Sequence, residues 1–187
     1  MARRKEYIEE EVIEKAMHVF WRNGYETTSM QMLEKEMGIN KFSIYSSFGS
    51  KNGLFLESVK CYKKKLNKLI GILKSSTKGI EGLKDYFKDF IIFSKDNEIG
   101  RGCLITNTAN EVCERTDEDI KKVLGTFTNE VRDVFKSVLA QDKTKDESTL
   151  EAQADYLLIA MIGLSSASKL FNSVQLDHYI EHVFKNV

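Results

Sequence analysis

The chain has 187 residues, 28 lysines and arginines against 28 aspartates and glutamates, and no proline. With 42% hydrophobic and 30% charged residues it can bury a core and keep a polar surface, which excludes a disordered or collagen-like chain. Average usage would place about nine prolines in this length, so their absence removes the residue that most often interrupts helices and predicts an all-α fold. Cys61, Cys103 and Cys113 fall at irregular spacings without a C-x-x-C pair, which argues against a disulfide scaffold and a cysteine zinc site. Isolated cysteines are usually small buried hydrophobes and are read so here, with a redox-sensing role for Cys103 and Cys113 as the lesser alternative. The basic start Ala2-Arg3-Arg4-Lys5 has no apolar stretch behind it, and no run approaches the ~18 apolar residues that span a bilayer, so a cytoplasmic location is expected.

In chain order, Ile8, Val12, Ala16, Val19 and Phe20 recur at spacings of three and four and predict a first helix, which Gly24 stops. Thr28-Ser29-Met30-Gln31 reads as a capping box for a second helix ending near Met37. Gly38 breaks that helix, Ile39 plugs the turn, and Asn40 caps a third helix from Lys41 to about Phe48. Gly49 closes it and Ser50 caps a fourth, Lys51 to Lys74, roughly 35 Å long at 1.5 Å per residue. Ile80, Leu83, Phe87, Phe90 and Ile91 mark a fifth helix that Asp96-Asn97 should end. The segment Gly100 to Thr108 opens a sixth, and Asp117 caps a seventh carrying Ile120, Leu124, Phe127, Val131, Val134 and Val138. Ser148-Thr149-Leu150-Glu151 reads as a second capping box. It would begin an eighth helix rich in small residues such as Ala160, Gly163 and Ser166. Asp177 is expected to cap a ninth. Neither strand alternation nor an internal repeat is found.

Two short helices joined through Gly38, with a third packed before them, form a helix-turn-helix arrangement whose second short helix would enter the DNA major groove. Charge is distributed accordingly. From Ile39 to Lys65 six lysines face one glutamate, a local charge of +5, and residues 1–65 carry +3 against −3 for the rest.

The segments Gly24-Tyr25-Glu26-Thr27-Thr28-Ser29, Ile39-Asn40-Lys41, Ser43-Ile44-Tyr45-Ser46-Ser47-Phe48 and Ser50-Lys51-Asn52-Gly53-Leu54 together resemble the DNA-binding domain of TetR/AcrR-type transcriptional regulators over roughly residues 6–60. The resemblance implies a helix-turn-helix domain over 1–50 and a helical effector-binding and dimerisation domain over 51–187, about nine helices in all. It implies DNA contacts by Thr28, Ser29, Lys41, Phe42, Ser43, Tyr45, Ser46, Ser47 and Lys51, with Tyr45 and Lys51 on phosphates and Phe42 placed to touch a thymine methyl. Phe42 stands where the family often has a small residue, and Ser46-Ser47 where it often has bulkier side chains, so the bases read stay open. Thr28 is read as a cap whose hydroxyl also meets a phosphate, in preference to a cap alone, and the Lys63-Lys64-Lys65 run as a solvated face. Ile39, Ile44 and Phe48 are assigned to the core.

The resemblance further implies a homodimer through the last two helices, a double-stranded palindromic operator as partner, and a small-molecule effector, apolar or aromatic in lean. Release of a repressor by that effector would act through the fourth helix. Gly102-Cys103-Leu104-Ile105-Thr106-Asn107-Thr108 resembles a segment that borders the pocket in one subset of these regulators, and is also readable as a plain loop-to-helix junction. Phe87, Phe90, Phe93, Asn107, Phe127 and Met161 are the candidate pocket liners. No cofactor, metal, membrane partner or enzymatic activity is expected, since no nucleophile has an activating base and His178 and His182 lack a third ligand. The alternative reading is a helix-turn-helix-derived protein-interaction module.

Overall fold

A computed structural model describes residues 7–96, 99–114 and 116–187, so the basic residues Arg3, Arg4 and Lys5 lie outside it. The described residues form α1 (Glu9–Asn23), α2 (Met30–Met37), α3 (Lys41–Phe48), α4 (Lys51–Ser75), α5 (Ile80–Ser94), α6 (Leu104–Ala109), α7 (Glu118–Leu139), α8 (Glu147–Ala167) and α9 (Ser173–Val183), with a closing 3₁₀ turn at Phe184–Asn186. The fold is all-α, and the helix starts and stops follow local chemistry. Asn40 accepts from the Ser43 amide at 2.8 Å, Ser50 from Gly53 at 2.9 Å and Asp117 from Asp119 at 2.9 Å. Gly38 takes the left-handed conformation, φ 72°, at the turn between α2 and α3.

Four expectations need correction. Thr28 does not cap α2. Its side chain is buried and donates to the Gly24 carbonyl at 2.5 Å, while Ser29 caps the helix by accepting from Met32 at 3.2 Å. Asp146 rather than Ser148 caps α8, accepting from Thr149 at 2.7 Å. Asn172 rather than Asp177 starts α9, in a capping box with Gln175 that leaves Asp177 inside the helix. Helix α5 ends at Ser94, ahead of Asp96-Asn97, and Lys95–Asp96 pairs antiparallel with Ile99–Gly100 as a two-residue ribbon, β1 with β2.

Helix α4 carries the load between the two halves. Toward its start, Phe55 meets the Phe20 ring edge-on at 5.1 Å and Tyr25 at 4.7 Å, and Tyr62 meets Trp21 edge-on at 5.1 Å. Further along, Leu66, Ile70 and Leu73 continue the same buried face, and α4 packs on α5 and α7. Each large ring buried this way contributes about 1.5–3 kcal/mol of apolar transfer, and edge-on pairs add about 0.5–1.5 kcal/mol more. Helices α7 and α8 pack together, and Arg132 and Lys136 of α7 ion-pair with Glu147, Glu151 and Asp155 of α8 across their exposed edge.

Gly24 fixes the exit from α1 with φ 85° and ψ 165°, a region essentially closed to side-chain-bearing residues, and a Cβ there would collide with the Glu111 carboxylate. Gly24→Ala is therefore expected to cost about 1–3 kcal/mol and lower the melting midpoint by several degrees. Gly71→Ala is the control, because that helical glycine has open space around it and should gain about 0.5–1 kcal/mol. Equal melting midpoints for the two variants would show that Gly24 is not conformationally required.

Candidate nucleic-acid interface

Helix α3 divides its residues between core and solvent. Ile44 is fully buried and Ser43, Ser47 and Phe48 are half-buried, whereas Lys41, Phe42, Tyr45 and Ser46 are exposed, Phe42 at 81%. Positions 41, 42, 45 and 46 follow the i, i+1, i+4, i+5 pattern of one helical face. An exposed phenylalanine between a lysine and a tyrosine is costly in water and suits an apolar contact in a groove. The Lys41 ammonium lies 5.6 Å from the Tyr45 ring centroid, and its backbone amide is held by the Glu34 carboxylate of α2, which locks α3 onto α2. Ser47 is paired with the Tyr7 hydroxyl at 2.5 Å, so this serine ties the segment before α1 to α3.

Two helix N-termini flank this face. At α2, Ser29 is exposed, and its cap sits where the positive end of the helix dipole favours a phosphate oxygen. The Thr28 hydroxyl, fully engaged below the surface, is not available to DNA through its side chain. At α4, the half-buried Lys51 ammonium lies 4.6 Å from the Tyr25 ring centroid and donates to the Glu26 carbonyl at 3.3 Å. Burial lowers its pKa from the ordinary lysine value, opposed by the carboxylates of Glu26 and Glu111. Burial thus leaves the ammonium partly stripped of water, and a phosphate oxygen beside it would add a charge-assisted partner.

The +5 window shrinks when its partners are seen. Lys60, Lys63 and Lys65 are ion-paired with Glu57, Glu130 and Glu14. Lys41 and Lys51 carry the cationic character of the outer face of the helix-turn-helix.

A cavity of about 100 Å³ opens between α4, α5, α6, α7 and α8. Of the six candidate pocket liners, Phe90, Phe127 and Met161 line this cavity, joined by Leu66, Tyr86, Cys103, Thr106, Ala109, Asn110, Thr128, Val131 and Ser165 among others, with no charged side chain in the wall. Three expected liners lie elsewhere. Phe87 is buried against Phe135 and Phe184, Phe93 packs on Trp21 and Tyr62, and Asn107 donates to the Arg101 carbonyl at 2.8 Å. The Cys103 sulfur accepts from the Tyr62 hydroxyl at 3.2 Å, and burial, the Cys103 sulfur and Tyr86 hold the Tyr62 phenol well above its usual pKa. Among the described residues no three His, Cys, Asp or Glu side chains gather into a metal site, and no helix is long and apolar enough to cross a membrane.

A short basic reading helix set against a capped partner helix, and anchored by α1 and α4, defines a helix-turn-helix DNA-binding protein. The family model described as Bacterial regulatory proteins, tetR family, matches residues 12–58, from α1 into α4. Over 98% of the chain and 96% of its own length, the HTH-type transcriptional regulator YezE of Bacillus subtilis is 29% identical. The negative transcriptional regulator IcaR of the Staphylococcus aureus biofilm operon icaADBC is 24% identical over 81% of this chain and 79% of its own. In three dimensions, the TetR family regulator CifR in complex with double-strand operator DNA superposes with a TM-score of 0.88 at 24% identity, covering 98% of both chains. E. coli NemR in its reduced form does so with 0.81 at 18% identity, covering 95% of both. The helix-turn-helix segment thus matches the tetR family of bacterial regulatory proteins, and the whole chain is similar to an HTH-type transcriptional regulator and shares the fold of TetR-family regulators.

Proposed function

We propose that the protein is a homodimeric repressor that a small-molecule effector releases from a palindromic operator, residues 1–50 binding DNA and residues 51–187 binding effector and partner copy. The observation that carries this reading is the outer face of α3, where Lys41, Phe42, Tyr45 and Ser46 stand exposed on a helix without an acidic residue while Ile44 is buried beneath them. Ser29, Ser43 and Lys51 extend that face toward the phosphates, and Ser47 reaches its edge. Repression is supported by the likeness to IcaR, a negative regulator, and operator binding by the likeness to CifR. The dimer is supported by a stripe of exposed apolar side chains on α8 and α9, Ile159 at 69% and Val174 at 59% among them. An uncharged cavity of about 100 Å³ suits one small apolar or aromatic ring, and a bulkier effector would have to push its wall outward.

A second trigger uses the same cavity. Cys103 stands in its wall, and the similar proteins include one solved as cysteine variants, CifR, and one solved in its reduced form, NemR. Modification of this thiol would disturb α6 as an effector does.

Selection of bound duplexes from random or genomic fragments tests the reading. The selected sites are expected to be palindromic, and log K to fall linearly with log salt, by about 0.9 per phosphate neutralised. Binding indifferent to salt would overturn it. Release by single-ring apolar compounds from both the wild type and Cys103→Ser identifies the first trigger, and release by thiol reagents from the wild type alone identifies the second.

A further inference from the structure

We infer that Glu111, just past the end of α6, is a positioning residue for the DNA-binding face, an inference that rests on the interface proposed above. Its carboxylate accepts a hydrogen bond from the Glu26 amide at 2.8 Å, across 85 residues of sequence, and presses against Gly24 at the exit from α1. Both contacts fall in the turn between α1 and α2. That turn controls the two phosphate-facing helix ends. The Gly24 carbonyl holds the buried Thr28 hydroxyl at 2.5 Å, which sets the start of α2 and its cap Ser29. The Glu26 carbonyl receives the Lys51 ammonium at 3.3 Å, at the start of α4. One residue, Glu26, is therefore gripped at its N–H by Glu111 and at its C=O by Lys51.

The chain that delivers Glu111 is also the cavity wall. Cys103, Ile105, Thr106, Ala109 and Asn110 line the cavity in the residues just before it. The other end of this segment is anchored on α1, where the Trp21 indole donates to the Gly102 carbonyl at 3.0 Å and Arg101 meets His18 at 3.1 Å. A wall held to α1 at one end and to the α1–α2 turn at the other has little freedom except to move that turn. Displacement of Ala109 or Asn110 by a bound molecule is carried by Glu111 into Lys51 and Ser29, a route separate from the long axis of α4.

Substitution by alanine and by glutamine separates position from charge. Both remove one negative charge near Lys51, but the glutamine carbonyl still accepts from the Glu26 amide. On a duplex selected by the wild-type protein, Glu111→Ala is expected to bind about three- to tenfold more weakly than Glu111→Gln, the value of one hydrogen bond. Hydrogen exchange at residues 24–29 should be faster in the alanine variant than in the glutamine variant, with α7 and α8 unchanged in both. Equal operator affinities for the two variants, with Lys41→Ala still defective, would overturn this inference alone. Operator binding indifferent to Lys41→Ala as well would overturn the interface on which it rests.

Discussion

Alanine at Lys41 or at Tyr45 is expected to weaken operator binding by about 1–3 kcal/mol each, with no change in the dimer and little change in melting midpoint. Both side chains are exposed, Tyr45 at 41%, so neither removal opens a cavity or strands a buried polar group. Exposed substitutions of this sort ordinarily stay within about 0.5 kcal/mol of stability. The two losses should fall short of additive in the double variant, because the Lys41 ammonium lies 5.6 Å from the Tyr45 ring and each side chain orients the other. If Lys41 meets a phosphate, Lys41→Ala also lowers the salt slope by about one. Phe42→Ala, which removes no charge, should instead leave the slope intact and relax the preference for thymine where the ring meets its methyl. Footprints of Lys41→Ala and Tyr45→Ala indistinguishable from that of the wild type would show that α3 is not the reading helix.

How far the sequence foretold this site depends on whether the decisive contact is local. Asn40, Ser50 and Asp117 cap helices through amides two or three residues away, and such pairs are visible in a string of letters. Thr28 and Ser29 are not distinguished in that way. Both carry a hydroxyl in cap register, and only the burial of Thr28 under the α1–α2 turn decides that Ser29 is the cap. The Asn172-x-x-Gln175 box is legible by the same rule that points to Asp177, and the rule alone does not rank two acceptors five residues apart. Phe87, Phe90 and Phe93 show the limit for a cavity. Steps of three residues turn a helix by about 60° less than a full circle, so these rings fan across three environments and only Phe90 reaches the cavity. Glu111 carried no sequence signal at all, because its partner amide lies 85 residues away and no motif links the two. The +5 window likewise overstated the interface, since Glu130 and Glu14 neutralise Lys63 and Lys65 from other helices.

The second large effect is expected at the opposite end of the molecule. On α8, Tyr156, Ile159, Gly163 and Ser166 follow steps of three and four along one face, and α9 adds Val174 beside it, with α8 and α9 locked together by the Tyr179 hydroxyl on the Ala160 carbonyl at 3.1 Å. Exposed isoleucine and valine next to glycine and serine allow close approach of an identical surface across a twofold axis, where each residue faces a copy of its own patch. In the proposed dimer a charge placed there appears twice and must be buried twice. Ile159→Glu is accordingly expected to yield a folded monomer by sedimentation, with helix content and melting cooperativity retained, since Ile159 makes little use of its own core. The monomer presents one reading helix where the palindrome offers two half-sites, so operator affinity should fall by about 10²–10⁴-fold as the linked second contact is lost. Ile92→Glu is the control, an equally exposed isoleucine, at 72%, on α5. If Ile159→Glu stays dimeric and Ile92→Glu does not, the partner copy docks on the α5 side, and the two reading helices must be spaced by a different geometry than the α8–α9 face provides.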